Sequence, residues 1–437
     1  MISRKSLSGQ KNSGSGSQAA LLLLDLDRFK EVNDSLGHAS GDELLGKVAQ
    51  LISRVLSNDH FISRLGGDEF AIILRDCADR TAVQRVVADV VGAVSGTIWL
   101  ERGEVTIGTS IGIALIPQDG TTLTDLQKNA DLALYRAKEN GRGRLVFFEP
   151  DMSAAMQHKI VLARELRKAI SENIGLAVHY QPQVSLSSGR VTGFEALMRW
   201  THPTLGNVSP AEFIPIAESS QTICDLGLWI LREAAVQAKA WLDAGEPARE
   251  IAVNVSAAQI WHTDFAHHVE WVLNETGLPP HLLCLELTES LLADHAEGRV
   301  RRVLMQLKRL GVTLAIDDFG TDYSSLGYLT QLPFDKIKID RIFVDGITES
   351  ERARKLLEGI IALGRGLGMT IVAEGAETDD EVAILGQLRC DMVQDYVFAR
   401  PAGANEALAV ARSLEGQEDR VHGSLSTMLA GPQGACR

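Results

Sequence analysis

LLCLELTES (282–290), TLAIDDFG (313–320), KIKID (336–340) and TIVAEGAE (370–377) are the runs that decide the fold of the larger part of this chain. Each is a short apolar run bounded by polar residues, which is typical of a buried strand, and a helical stretch separates each run from the next. Four further runs of this kind are LAVHYQPQV (176–184), RVTGFEALMRW (190–200), EIAVNVS (250–256) and MVQDYVFARP (392–401). Eight strand–helix units over roughly 250 residues predict a TIM-type (β/α)8 barrel.

Acidic residues stand where these predicted strands end, on the face of a barrel that carries function. A buried carboxylate is costly unless its charge is compensated, and several carboxylates close together repel one another. Divalent cations are the usual solution, and oxygen ligands suit Mg²⁺ or Mn²⁺. Adjacent Asp317 and Asp318 would point to opposite faces of a strand, so they converge only if the strand turns at Phe319-Gly320. The pattern predicts a metal-dependent active site for phosphate chemistry.

The first part of the chain predicts a separate α/β domain over residues 19–149. The order of elements is strand, helix, hairpin, helix, strand, helix, strand, and the glycines at 66 and 67 divide FISRLGGDEFAIIL (61–74) into the hairpin. The other segments that we expect are a disordered N-terminus over 1–18, a connecting helix over 150–172, the barrel over 173–413 and a flexible tail over 414–437.

Composition and charge narrow the classes of partner and compartment. A net charge of −14 over 437 residues argues against a nucleic-acid polymer, because no excess of Lys and Arg exists to displace its counterions. The five cysteines are scattered, without CxxC or zinc spacing, which favours reduced thiols in the cytoplasm. No apolar run reaches the ~18 residues of a membrane span, and the run at 19–24 is too short for a signal-peptide core.

The barrel motifs resemble those of the EAL-domain phosphodiesterases, in order, over about residues 158–410. The segments are EALMRW (195–200), VNVSAAQ (253–259), LELTES (285–290), DDFGTDYSSL (317–326), KIKID (336–340), VAEGAE (372–377) and QDYVFARP (394–401). That family opens cyclic di-GMP to the linear dinucleotide pGpG with two divalent cations. The resemblance therefore implies cyclic di-GMP as ligand and Mg²⁺ or Mn²⁺, two ions per barrel site, as cofactor.

The resemblance also implies a role for each polar residue at the strand ends. The residues that match the family's metal site are Glu195, Asn254, Glu286, Asp317, Asp318 and Asp340. The residues that match its catalytic machinery are Glu374 as general base, Lys338 as a group that orients the attacking water together with Asp340, and Glu289 as anchor of the loop 319–326. The residues that match its substrate contacts are Gln181, Arg199 and Gln394.

Two departures from the family's pattern matter for activity. Asp322 replaces the second glycine of the loop DFGTGYSS, and Asp395 replaces the glycine of QGY. If position 322 needs a positive φ, aspartate is less favourable there than glycine. Both changes add negative charge near the carboxylates, so they either impair turnover or face solvent without effect.

The first domain resembles the GGDEF-domain diguanylate cyclases, which join two GTP molecules across a homodimer. The segments are DLDRFKEVND (25–34), GHASGDELL (37–45), RLGGDEF (64–70) and ADLALYRAKENGRGR (130–144). The resemblance implies a cyclase- or palm-like α/β sandwich that binds GTP with Mg²⁺. The matching residues are Asp25 and Asp68 for the metal, Asn33 and Asp42 for guanine, and Gly66, Gly67, Glu69, Lys138 and Arg142 around the triphosphate. Lys138 and Arg142, four apart, are expected on one side of a helix.

Three hypotheses for function remain open at this point. The favoured one is a metal-dependent cyclic di-GMP phosphodiesterase with a regulatory GGDEF domain that binds GTP. We expect this GGDEF domain to be N-terminally truncated, because the family's DxLTGLxNR segment has no match before the first strand. The second is a cyclic di-GMP receptor or scaffold with impaired turnover. The third is a bifunctional cyclase and phosphodiesterase.

Overall fold

The computed structural model describes residues 18–57, 59–289, 291, 297–321 and 326–415. The chain forms two compact units that divide between Val161 and Leu162, inside a helix that spans Pro150–Glu172. Asp322, and most of the N-terminal and C-terminal segments for which we expect no fixed structure, lie outside the described residues. Among the helices that the structure describes, none combines the length and apolar character that crossing a bilayer requires.

The N-terminal unit is built around one mixed sheet. Its strands are β1 (Gln18–Asp27), β2 (Phe61–Gly66), β3 (Glu69–Cys77), β4 (Gly96–Leu100), β5 (Gly103–Ile116) and β6 (Leu145–Phe147). The sheet order is β2-β3-β1-β5-β4, with β6 added to β5 in parallel. The helices of this unit, apart from the one that contains the division, are Phe29–Leu36, His38–Val55, Arg80–Val94 and Leu123–Glu139. The predicted α/β domain and its β2–β3 hairpin are confirmed, whereas β4 and the helix Phe29–Leu36 are additions to the predicted order.

Both faces of this sheet are covered because β1 is apolar on both sides. Leu22 and Leu24 belong to the cluster that contains the helices His38–Val55 and Arg80–Val94. Leu21 and Leu23 pack in a second cluster, with the helix Leu123–Glu139. Strand residues alternate between faces, so a continuous leucine run serves both layers.

The C-terminal unit is a closed barrel. Its strands are β7 (Leu176–Ser185), β8 (Val191–His202), β9 (Gly206–Val208), β10 (Glu250–Val255), β11 (Leu283–Thr288), β12 (Thr313–Phe319), β13 (Lys336–Ile339), β14 (Thr370–Glu374) and β15 (Met392–Gln394). Strands β8 and β10–β15 with β7 close the eight-stranded ring, and β9 pairs only with β8. The helices are Pro210–Ser219, Ile223–Asp243, Ala257–His262, Phe265–Thr276, Glu297–Leu310, Leu326–Gln331, Glu351–Gly366, Asp379–Gln387 and Ala404–Glu415, with short 3₁₀ turns at Pro280–Leu282 and Arg341–Phe343.

The predicted TIM-type barrel is confirmed, but one strand runs in the opposite direction. Strand β7 is antiparallel to both of its neighbours, β8 and β15. The link from β7 to β8 covers only residues 186–190. A parallel crossover needs a dozen or more residues, so a link this short can join only an antiparallel pair.

Strand register brings the polar strand ends to one level of the barrel. Asn254 pairs with Glu286 across β10 and β11, and Glu374 pairs with Gln394 across β14 and β15. Because β7 is reversed, Gln181 pairs with Glu195 from the middle of its strand. The barrel therefore gathers residues that are far apart in the sequence.

Candidate active site

The ammonium of Lys338 lies among four carboxylates inside the barrel. Its Nζ is 2.7 Å from Glu286 Oε2, 2.8 Å from Glu374 Oε1, 3.2 Å from Asp317 Oδ1 and 3.4 Å from Glu195 Oε2. Lys338 is 2% exposed, so this charge has no solvent shell to stabilise it. Only the surrounding carboxylates can compensate it at this depth.

Alternation along β13 explains how a lysine reaches the barrel interior. Ile337 and Ile339 belong to the apolar layer between strands and helices, while Lys336 and Lys338 take the opposite face. Lys336 forms an ion pair with Glu250, one layer below the Lys338 cluster. The barrel interior thus holds two stacked ionic layers, and the upper one lies at the strand ends.

The four groups around Lys338 differ in their electrostatics. Burial favours the protonated form of Glu195, but Lys338, Gln394 and Asn254 outweigh it and lower the pKa of Glu195. Burial raises the pKa of Glu286 well above its usual value, against the attraction of Lys338. Burial likewise raises the pKa of Glu374 to about 8. Burial alone would lower the pKa of Lys338, yet the carboxylates hold it well above its usual value.

The donor set fits a hard divalent cation in its chemistry. The side chains of Glu195, Asn254, Glu286 and Asp317 offer only carboxylate and amide oxygens as ligands. Four carboxylates face a single ammonium, so the cluster carries negative charge that a dication would compensate. In the part of the chain that the structure describes, no three His, Cys, Asp or Glu side chains are already arranged as a metal site. The Lys338 ammonium lies between the carboxylates, so side chains must rearrange when a metal binds.

Asp318 and Asp340 lie at the rim of this cluster. Asp318 has a left-handed backbone, φ 53°, and the β12–β13 pairing is irregular between Ile316 and Phe319. The turn therefore occurs at Asp318, before the predicted Phe319-Gly320, and this break lets two adjacent aspartates approach one site. Burial raises the pKa of Asp318, and Asp317 and Asp340 raise it further. The Asp340 carboxylate accepts a hydrogen bond from Ile342 N at 2.9 Å, which caps the following 3₁₀ turn.

Glu289 contacts the start of the loop that follows β12. Its Oε2 accepts the N–H of Gly320 at 2.7 Å, and its own N–H donates to Asp317 O at 3.2 Å. Gly320 has φ 93°, and a Cβ there would lie 2.7 Å from the Phe343 ring. The structure thus places Glu289 where an anchor for this loop would act. The loop residues 322–325 lie outside the described part.

The glutamines of the barrel interior form a hydrogen-bond chain to Glu195. Gln394 Nε2 donates to Glu195 Oε2 and, at 3.4 Å, to Gln181 Oε1. Gln183 Nε2 donates to Gln394 Oε1 at 2.8 Å. Gln183 is not among the residues predicted from the sequence, although a signal was available: Gln181 and Gln183 stand two apart on β7 and therefore share one face of the strand. Arg199 is half-buried on β8, where its Nη1 donates to Met198 O at 2.8 Å.

Asp395 directs its carboxylate to the backbone at the end of the barrel. It accepts hydrogen bonds from the N–H groups of Tyr396 and Gly375. Burial raises the pKa of Asp395, and these hydrogen bonds oppose the shift. Gly375 directly follows Glu374, so this departure from the family's glycine tethers the segment that carries the candidate base.

The N-terminal unit brings only some of the predicted GTP-site residues into contact. Lys138 Nζ lies 2.7 Å from Asp25 Oδ2, and burial raises the pKa of Asp25 against this attraction. Gly67 has φ 52° in the hairpin turn, where Arg64 donates to Gly67 O. Asn33 lies against Gly41, where a Cβ would be 2.0 Å from Asn33 Oδ1.

The remaining predicted residues of this unit are spread over its surface. Asp42, Glu69 and Gly66 are exposed. Asp68 is half-buried, and its charge lies close enough to raise the pKa of Asp25. The expectation that Lys138 and Arg142 share a helix face is wrong. The helix ends at Glu139, and Arg142 has φ 58° and lines a separate cavity of about 580 Å³ with Asp27. Gly141, with φ 102°, is incompatible with continued helix.

Comparison with known proteins agrees with this architecture. A family model for the "EAL domain" matches residues 163–401, more than half of the chain, and one for "Diguanylate cyclase, GGDEF domain" matches residues 4–144. An "Uncharacterized signaling protein" of Caulobacter vibrioides is 43% identical over 389 residues, which cover 89% of this chain and 47% of that protein.

A second curated relative, from Pseudomonas aeruginosa, and a solved structure are also similar to this chain. The "Bifunctional diguanylate cyclase/cyclic di-GMP phosphodiesterase MucR" is 42% identical over 392 residues, covering 89% of this chain and 56% of the relative. The solved structure "PaMucR Phosphodiesterase, c-di-GMP complex" is 40% identical, with a TM-score of 0.53, over 56% of this chain and 98% of that one. The chain spans about half the length of these curated relatives. It belongs to the EAL-domain family, and a GGDEF domain precedes the EAL domain.

Proposed function

We propose that the barrel unit hydrolyses cyclic di-GMP to linear pGpG with two divalent cations, Mg²⁺ or Mn²⁺. The observation that carries the proposal is the cluster of four carboxylates around Lys338 at the strand ends. The likeness to a barrel solved with cyclic di-GMP supports the choice of substrate.

Residues of the cluster divide between metal binding and proton transfer in this proposal. Glu195, Asn254, Glu286 and Asp317 would hold one metal, and Asp318 and Asp340 would complete the second site with Asp317. The metals would supply positive charge at the phosphate and lower the pKa of the attacking water. Gln181, Arg199 and Gln394 would bind the substrate, with Arg199 supplying a positive charge to its phosphates.

Glu374 is the general base in this mechanism. Its Oε1 lies 2.8 Å from Lys338 Nζ, and a quarter of its side chain, 25%, remains exposed at the strand ends. Burial raises the pKa of Glu374 to about 8, close to the range in which a base both ionises and holds the proton it accepts. Lys338 fixes the position of this carboxylate, so that the water loses its proton to Glu374. Glu289 would order the loop over the site through Gly320.

For the N-terminal unit, we propose regulation through GTP bound with Mg²⁺ at Asp25 and Asp68, in a homodimer. The match of the GGDEF family model and the Asp25–Lys138 contact support this proposal. A second candidate is a bifunctional enzyme, which the name and likeness of MucR favour.

Turnover of cyclic di-GMP tests the main proposal. The purified chain is incubated with cyclic di-GMP and Mg²⁺ or Mn²⁺, and linear dinucleotide is followed by chromatography, with Glu195→Ala as control. Turnover that requires metal and is lost in Glu195→Ala supports the enzyme, while binding without turnover favours a receptor. Cyclic di-GMP formed from GTP in the Glu195→Ala background, where it is not degraded, would support the bifunctional enzyme.

A further inference from the structure

Two glutamines of β7 face the barrel interior next to the proposed metal site. In the antiparallel β7–β8 pair, Gln181 is opposite Glu195 and Gln183 is opposite Gly193. Gln183 is 2% exposed and Gln394, on the neighbouring strand β15, is 4% exposed. A polar side chain at this depth must find a hydrogen-bond partner.

Gln183 is the partner that holds the oxygen end of the Gln394 amide, while Glu195 and Gln181 accept from its nitrogen end. A glutamine amide has an acceptor end and a donor end that can exchange by rotation. Gln183 Nε2 donates to Gln394 Oε1 at 2.8 Å, which leaves Gln394 Nε2 facing Glu195 Oε2. Asn254 Nδ2 donates to the other oxygen, Glu195 Oε1. Two amides thus hold both oxygens of one carboxylate.

Gly193 leaves the space that Gln183 occupies. A Cβ at position 193 would lie 3.2 Å from Gln183 Oε1 and 2.9 Å from Glu250 O. The glycine stands two residues before Glu195 on the same face of β8. The local sequence therefore accommodates a large amide beneath the carboxylate.

We infer that Gln183 is a positioning residue: through Gln394 it fixes the orientation in which Glu195 is presented to a divalent cation. The inference rests on the proposed function, since it concerns the metal ligand of that site. Gln183 has no contact with Lys338 or Glu374 among its hydrogen bonds in the described structure, so its effect acts through Gln394.

Loss of the Gln183 donor leaves the buried Gln394 Oε1 without this hydrogen bond. The Gln394 side chain would then shift to find another donor, and its Nε2 would move relative to Glu195 Oε2. Removal of an outer partner of a metal ligand typically weakens metal affinity or activity about tenfold to a hundredfold. We expect a loss of this size in Mn²⁺ affinity, while kcat at saturating Mn²⁺ stays close to that of the unchanged protein.

Two variants of the full chain test the inference. Gln183→Leu removes the amide, and Gln183→Met also removes it while keeping the length of the side chain. Thr201→Val, an exposed position on the same β8 hairpin, is the matched control. Mn²⁺ binding to the substrate-free proteins is measured by isothermal titration calorimetry, and the Mn²⁺ concentration for half-maximal turnover is measured separately. Circular dichroism establishes that each variant is folded.

Weaker Mn²⁺ binding in both variants, with Thr201→Val unchanged, supports the inference. Affinity equal to that of the unchanged protein in folded Gln183→Met overturns it, whatever the fate of Gln183→Leu. A fall in kcat at saturating Mn²⁺ with unchanged affinity also overturns it, because that result would place Gln183 in the chemical step. If the unchanged protein neither binds Mn²⁺ nor hydrolyses cyclic di-GMP, the proposed function itself fails, which is a different result.

Discussion

Replacement of Lys338 by methionine tests how far its positive charge stabilises the carboxylates inside the barrel. The substitution keeps a long side chain and removes the one ammonium that contacts four carboxylates. Breaking a buried ion pair by removing one partner typically costs about 3–5 kcal/mol, because a charge stays buried without compensation. Domains are stable by only about 5–15 kcal/mol, so a loss of this size is a large part of the total.

Urea unfolding in EDTA at pH 8 measures this loss. Five of the six tryptophans lie in the barrel unit, so their fluorescence reports mainly on that unit. We expect a lower unfolding midpoint for Lys338→Met than for the unchanged protein. Excess Mn²⁺ should restore more stability to Lys338→Met, since the dication supplies the missing positive charge without displacing an ammonium.

Lys336→Met is the matched control. Lys336 lies two residues earlier on β13 and pairs with the single carboxylate Glu250 in the layer below. Its loss should lower the midpoint in EDTA, while the gain on adding Mn²⁺ should equal that of the unchanged protein. Equal midpoints for Lys338→Met and the unchanged protein in EDTA would refute the charge argument, as would the same extra Mn²⁺ gain in both variants.

Three further predictions concern the same strand ends. Glu374→Gln should leave cyclic di-GMP binding intact and slow turnover by about 10²–10⁴-fold, and an equal loss of binding would make Glu374 a ligand rather than a base. Because the pKa of Glu374 is raised from 4.5 to about 8, the folded state binds more protons than the unfolded state between these values. The metal-free barrel should therefore lose stability as pH rises from about 4.5 to 8. Mn²⁺ binding near pH 7 should release protons, which calorimetry detects as a binding heat that varies with the buffer. Binding heats that do not vary with the buffer would contradict the raised pKa of Glu374. Asp395→Ala should lower kcat and speed hydrogen exchange at the Gly375 amide, because the acceptor of that N–H is lost. Asp395→Asn retains an acceptor and should behave like the unchanged protein. A higher kcat in Asp395→Ala would instead show that Asp395 slows turnover.

Asp395, a departure from the family's pattern, shows what could not be predicted from the sequence. From the sequence, Asp395 is an extra negative charge near the carboxylates that either impairs turnover or faces solvent without effect. In the structure it accepts backbone N–H groups on two neighbouring strand ends. Pairing between β14 and β15 creates that contact, and no local pattern encodes which two strand ends will be adjacent.

Elements with local signals could be predicted from the sequence. Apolar runs of strand length, the glycine turn of the β2–β3 hairpin and the acidic strand ends all follow from residues within a few positions of one another. The β7–β8 link also carried a signal that the eight-unit pattern overlooked: with only residues 186–190 between them, these two strands must be antiparallel. The helical pattern misplaced Arg142, since a positive φ at Gly141 ends the helix before it.

Which of these residues act together depends on how the barrel closes. Closure of the barrel places Lys338 within 3.4 Å of carboxylates from β8, β11, β12 and β14. It also gives Glu195 a lowered pKa and Glu286 and Glu374 raised pKa values, although all three are glutamates that contact Lys338. The physical reason is that burial, charge and hydrogen bonding act through space: a sequence gives each side chain its chemistry, and the fold sets the distances over which that chemistry works.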